Sequence, residues 1–146
     1  MIVCLDTNTV VQALAEGHPY HPILDAWVAG RITWAASTEV LLEYQEVLTR
    51  MSGPARWRKL ARLMDLVELT GGNFLRVTPS FRFNIITADP DDNIFTDCAV
   101  TAGADYVITD DQHFTALKIA GYKPQPITPG EFISKFVAGT PPGSAK

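Results

Sequence analysis

Apolar positions along this chain come in two rhythms. Short, mainly apolar runs appear at Ile2-Val3-Cys4-Leu5, Ile32-Thr33-Trp34-Ala35-Ala36, Phe74-Leu75-Arg76-Val77 and Tyr106-Val107-Ile108-Thr109. Runs of this length suit strands, and the first is what a parallel strand buried on both faces requires. Between them, apolar residues return every three to four positions, the helical period. The pattern predicts helices over about residues 9–15, from the His18–Pro22 segment through Val28, from Ser37 or Thr38 to about 50, over 55–69, from the Asp89–Asp92 cap to about 102, and over 114–119, with a last one from Pro129 through Phe136. Punctuation supports these limits. Gly17 stops the first helix, His18-Pro19-Tyr20-His21-Pro22 opens the second, and Gly30 closes it. Ser37 or Thr38 caps the third, Ser52-Gly53-Pro54 breaks the chain, and Gly71-Gly72 ends the fourth. Residues 82–87 either extend the third strand or form a loop, and Asp89-Pro90-Asp91-Asp92 forms a turn and cap. Pro126-Ile127-Thr128 is a candidate last edge strand.

Strands alternating with helices imply an α/β domain, a parallel sheet with helices on both faces. One domain is expected over residues 1–137, followed by a disordered tail, 138–146, rich in Gly, Pro and small residues. In such sheets ligands bind beyond the carboxyl ends of the strands. Asp6 directly follows the first strand, and Asp110-Asp111 follow the strand ending at Thr109. These carboxylates are therefore expected on one edge of the sheet.

Composition narrows the options. With 146 residues, 47% hydrophobic and 19% charged, the chain can bury a real core. The formal charge is −4, which argues against holding nucleic acid by bulk electrostatics and leaves local patches or a bound cation to do so. Cys4 and Cys98 sit in apolar stretches and read as buried, reduced thiols; no C-x-x-C pair suggests zinc or redox chemistry. MIVCLD lacks a basic leader, and no 18-residue apolar span occurs, so a cytoplasmic protein with no membrane association is expected.

Four acids stand out: Asp6 in LDTN, Glu43 in LLEYQEVL, Asp92 in DPDDN and Asp111 in VITDDQHF. Two unit charges about 4 Å apart repel by roughly 4 kcal/mol at an effective dielectric near 20. If the fold gathers these groups, a divalent cation is the economical reason. Each also has a plainer role. Asp6 suits a helix N-cap, and Asp110-Asp111 suit a turn. Glu39, Glu43 and Glu46 share one helix face, which for Glu39 and Glu46 reads as solvated, whereas Glu43, flanked by Leu41, Leu42 and Tyr44, is placed to be partly buried. In DPDDN, Asp89 or Asp91 can cap the following helix, leaving Asp92 at its first turn; Asp97 falls about 140° further round. His18 and His21 read as loop and helix-start residues, and His113 lies beside the acidic pair, within reach of a phosphate. Arg58, Lys59 and Arg62 share a helix face opposite Trp57, Leu60, Leu63, Met64 and Val67, either a solvated face or a surface for phosphates or an acidic partner.

Taken in order, LDTN, LLEYQEVL, DPDDNIFTDCAVTAGADYVITDD and ITPGEFI resemble the PIN-domain nucleases, in particular the VapC-type toxins of toxin–antitoxin pairs. The resemblance spans Ile2 to about Phe136. It implies a PIN-like three-layer α/β/α sandwich around a mostly parallel sheet. It also implies that Asp6, Glu43, Asp92 and Asp111 form a catalytic site binding Mg²⁺ or Mn²⁺, with Thr7, Asn8 and Thr109 in support. The family pattern places one acid two residues after the strand-ending Thr, which selects Asp111 over Asp110. RNA as substrate, a homodimer and a cognate antitoxin partner are implied in the same way. The residues suit this chemistry, because no Ser-His-Asp set and no Gly-rich phosphate loop is present, and carboxylates with a cation can orient water and clamp a phosphodiester. Two other classes remain open: a Mg²⁺-binding phosphoacceptor domain, for which the expected lysine is missing after Thr109, and a non-catalytic binding module, against which stands the presence of all four acids. The first helices and the helix from Thr38 also carry many apolar side chains, including Val10, Leu24, Trp27 and Tyr44, and offer surface for a dimer.

Overall fold

The computed structural model describes residues 1–80 and 93–138. In chain order the elements are β1 (Ile2–Leu5), α1 (Thr7–Leu14), α2 (His21–Val28), β2 (Thr33–Ser37), α3 (Thr38–Ser52), α4 (Pro54–Thr70) and β3 (Phe74–Val77), then α5 (Asn93–Ala102), β4 (Tyr106–Ile108), α6 (Thr115–Ala120), β5 (Gln125–Ile127) and α7 (Pro129–Phe132). A 3₁₀ turn, Gln112–Phe114, precedes α6, and a π-type turn, Ile133–Val137, follows α7 in place of the regular helix expected to Phe136. Residues 82–87, Asp89, Asp91 and Asp92 lie outside the described residues, as does the tail from residue 139.

The five strands are ordered β3-β2-β1-β4-β5, and all four described pairings are parallel. After β3 the chain crosses back over β2 and β1 to β4, so the right-handed crossovers general to parallel strands assign α1 to α4 to one face of the sheet and α5 and α6 to the other. The unbroken apolar runs are explained by position. Val3, Cys4, Leu5, Trp34, Ala35, Ala36, Val107 and Ile108 are all buried, since their strands have helices above and below. β3, at the sheet edge, keeps Arg76 exposed, bound to Asp65 at 2.9 Å and Glu68 at 3.1 Å.

Local chemistry fixes the helix ends. Asp6 caps α1 by accepting the N–H of Thr9, Ser37 caps α3 by accepting that of Val40, and Thr128 caps α7. Gly53, at φ +83°, turns the chain between α3 and α4, a conformation that disfavours any side chain, and Pro54 opens α4. Trp27, Trp34, Phe74 and Tyr44 form an aromatic cluster, with the two indoles edge to face at 4.8 Å. Each such ring buries area worth at most about 4–6 kcal/mol, so the core holds without a cross-link. Cys4 and Cys98 are accordingly buried free thiols, Sγ to Sγ 3.6 Å. Asn73 ties the cluster to the sheet: its amide donates to the carbonyls of Trp27 (2.6 Å) and Ile32 (3.0 Å), and its own carbonyl accepts the Trp27 indole N–H. Tyr44 reaches from α3 and donates its hydroxyl to the carbonyl of Leu5 at 2.5 Å.

This packing overturns one expectation. Val10, Ile23, Leu24, Trp27, Tyr44 and Leu48 are buried within the chain's own core, so they offer no free apolar face to a second copy. What this part of the chain leaves uncovered is Val11, Leu14, Tyr20 and Leu41 in part, with Val28, Leu42 and Met51 exposed.

Candidate active site at the carboxyl edge of the sheet

β1 and β4 are neighbours, yet the chain leaves them in opposite directions, to β2 and to β5. A crevice opens at such a switch point. The register pairs Leu5 with Ile108, so Asp6 and Thr109 emerge side by side. The main chain ties them further: the Asp6 N–H donates to the Ile108 carbonyl at 3.2 Å, and the Thr9 hydroxyl donates to the same oxygen.

Asp6 is only 6% exposed. One carboxylate oxygen accepts the Thr9 N–H at 2.8 Å, and the other accepts the Thr109 hydroxyl. Burial pushes its pKa above the ordinary value, the bonds from Thr109 and Thr9 pull it back, and the nearby Asp111 charge adds a smaller upward push. A cap alone needs no such burial, because an exposed aspartate caps equally well. The Thr109 oxygen in turn accepts the N–H of Asp111 at 2.9 Å, so one hydroxyl links both acids. Asp111 is half-buried, accepts the His113 N–H at 2.9 Å, and has the His113 Nδ1 at 3.3 Å. Asp110 accepts the Tyr20 hydroxyl at 3.1 Å.

Asp6, Asp110 and Asp111 line a cleft of about 380 Å³ whose other walls include Asn8, Gln12 and Met51. No cation lines it. The expected acids are thus gathered in part. Asp6 and Asp111 come together; Asp92 lies outside the described residues; Glu43, half-buried as expected, lines a separate cleft with Glu39, Glu46 and Ile94. Among the described residues no three His, Cys, Asp or Glu side chains form one group that could hold a metal. Asp97, expected on another part of its helix surface, is buried to 4% exposure on α5, which packs across β1 and β2. Its burial had no signal in the sequence beyond an apolar neighbourhood. Thr9 and Tyr20 were also missed. Thr9 stands three residues after the capping Asp6, the ordinary place for a capped N–H, so that signal was present; Tyr20 meets Asp110 only through the fold.

The donor set is compatible with Mg²⁺ or Mn²⁺. Mg²⁺ usually takes one or two carboxylates and fills its remaining positions with water and phosphate oxygens. Each Asp6 oxygen keeps a lone pair beyond its one hydrogen bond. The hydroxyl of Thr7, next in sequence, is buried and has no partner among the described residues.

Comparison with known proteins agrees with this geometry. No curated protein matches the chain. One chain of the crystal structure of VapBC2 from Rickettsia felis, bound to a DNA fragment from their promoter, superposes with a TM-score of 0.56 at 17% identity, covering 88% of this chain and 98% of that one. That likeness establishes the fold. The model of the PIN domain matches residues 2–113, which takes in the sheet from β1 to β4 together with Asp6, Thr109 and Asp111. With its parallel five-stranded sheet and its acids at the β1–β4 crevice, the chain belongs to the PIN-domain family, whose members are generally nucleases.

Proposed function

We propose that this protein is a metal-dependent ribonuclease and the toxin of a toxin–antitoxin pair. The observation that carries the nuclease reading is the buried Asp6 carboxylate set beside Asp111 by a shared threonine hydroxyl, in a cleft that no Lys or Arg of the described residues lines. Like charges held together at a strand edge weaken the fold and are suited to a divalent cation. Asp6 and Asp111 would hold Mg²⁺ or Mn²⁺, with Asp92 and Glu43 as the further acids of the set. The ion would supply an activated water and neutralise a nonbridging phosphate oxygen. Thr9 and Thr109 hold Asp6 in one orientation, and the Thr109 oxygen and the His113 N–H hold Asp111.

The toxin assignment rests on the resemblance to VapC-type proteins and on the fold shared with a chain of the VapBC2 structure. A cognate antitoxin, a homodimer and a cytoplasmic location go with it. For the last, no helix of the described residues is long and apolar enough to cross a membrane.

RNA cleavage by the purified protein tests the activity. Cleavage should require Mg²⁺ or Mn²⁺, stop in EDTA, and fall sharply in Asp6→Asn, Asp111→Asn, Glu43→Gln and Asp92→Asn with circular dichroism unchanged. Equal cleavage in EDTA would sink the mechanism.

A further inference from the structure

The ridge formed by Asp110 and Asp111 has a second cleft on its far side, about 210 Å³ in volume, between the carboxyl ends of β4 and β5 and the start of α6. Its lining shares Asp110 and Asp111 with the acidic cleft, but it also holds a cation, Lys118, so that three carboxylates (Asp110, Asp111 and Glu131) stand beside one ammonium group. Glu131 also lines it, yet Lys118 makes no ion pair with it or with any other described residue. The floor is apolar and supported from below, since Ile127 is buried. Donors are available at the walls. The Thr128 oxygen accepts the Glu131 N–H at 3.1 Å, which leaves its own proton free, and the Gln112 carboxamide has no partner among the described residues.

A strand of RNA crossing the carboxyl edge carries one negative charge per nucleotide. Over Asp6, Asp110 and Asp111 the charged side chains it meets among the described residues are all acidic until a metal ion is bound. The next cleft along is where the chain offers a counter-charge. We propose that this second cleft is a nucleotide subsite beside the reacting phosphate, with Lys118 pairing to the adjoining phosphodiester and Thr128, Gln112 and the Ile127 floor receiving its ribose or base. This rests on the ribonuclease function proposed above. It assigns Lys118 to strand binding and leaves the bond-breaking step to the acids. A simpler role for Lys118 also exists, because a cation in the last turn of α6 complements the helix carbonyls. That role affects stability and has no bearing on RNA.

Fluorescence anisotropy with a labelled single-stranded oligoribonucleotide separates the two, with Ca²⁺ in place of Mg²⁺ so that the strand is held. Lys118→Ala should weaken binding about three- to tenfold and lower the slope of log affinity against log salt by about 0.7, the loss of one phosphate contact. Lys118→Arg should restore both, Lys118→Glu should weaken binding further, and the thermal midpoint should stay put. In cleavage with Mg²⁺, Lys118→Ala should raise KM and leave kcat. Unchanged affinity and salt slope in Lys118→Ala, or no RNA binding by the wild type, overturns the subsite. If the wild type cleaves while Lys118→Ala is silent, the subsite alone fails. If binding depends on Lys118 but no metal supports cleavage, the nuclease activity fails and the subsite stands.

Discussion

Replacing Thr109 by valine removes one hydroxyl and little volume, and it strikes the contact on which the site geometry depends. Thr109 is buried, donates to the Asp6 carboxylate and accepts the Asp111 N–H. A hydrogen bond to a charged group contributes about 1.5–3 kcal/mol, and a neutral one that water can partly replace about 0.5–1 kcal/mol. Thr109→Val should therefore cost about 2–4 kcal/mol in metal-free protein, a fall in Tm of roughly 4–16 °C for a domain of this size. The charge on Asp6 supplies most of that cost, so the effect must depend on it. In an Asp6→Asn background the same substitution should cost at least about 1 kcal/mol less, a coupling within the range for residues in contact. Acidity gives a second handle. Burial raises the Asp6 pKa, so the native state keeps a proton that the unfolded chain gives up. Metal-free stability therefore falls as pH rises from the ordinary carboxylate value through the raised native one. Without the Thr109 bond, which pulls that pKa down, the native value climbs further. The valine variant should suffer more at neutral pH than at acid pH, where Asp6 is already protonated. Urea unfolding in EDTA, followed by the fluorescence of the buried Trp27 and Trp34, measures all four proteins. Equal costs in both backgrounds and at both pH values would refute the link between Thr109 and an ionised Asp6.

Two further outcomes concern partners. Arg58, Lys59 and Arg62 are exposed on α4 and make no ion pair with a described residue, whereas Asp65 and Glu68 on the same helix are both taken by Arg76. Reversing the three cations to Glu should weaken binding of an acidic antitoxin segment or RNA and flatten its salt dependence, with the fold kept because Leu60, Met64 and Val67 hold the buried face; unchanged binding to both would return them to a solvated face. Light scattering at low micromolar concentration should give a dimer, and a 16.0 kDa particle would remove it.

Much of the fold was legible because burial on both faces writes itself as unbroken apolar runs, as at Val3-Cys4-Leu5, and because caps such as Ser37 and turns such as Gly53-Pro54 are local. Asp6 and Asp111 were legible for the same reason: each ends a strand, and parallel strands share their carboxyl edge. The relation of Glu43 to that edge was not. Helical period identifies its face, but only the direction in which α3 leaves the sheet decides which cleft the face lines. The burial of Val10, Ile23, Leu24, Trp27, Tyr44 and Leu48 in the chain's own core was not legible for a related reason. Apolar residues on α1, α2 and α3 show amphipathicity without showing whether their partners lie in the same chain.

The Thr109 hydroxyl and the Asp6 carboxylate that accepts it are 103 residues apart, and β1 is the first strand made although it lies at the centre of the sheet. During synthesis, Asp6 leaves the ribosome long before β4 exists to stand beside it. Until residues 106–111 emerge there is no crevice, no hydroxyl to orient Asp6 and no Asp111 beside it. If the protein cuts RNA as proposed, translation itself withholds the activity: a nascent chain is harmless to the message it is read from, and the complete chain is not.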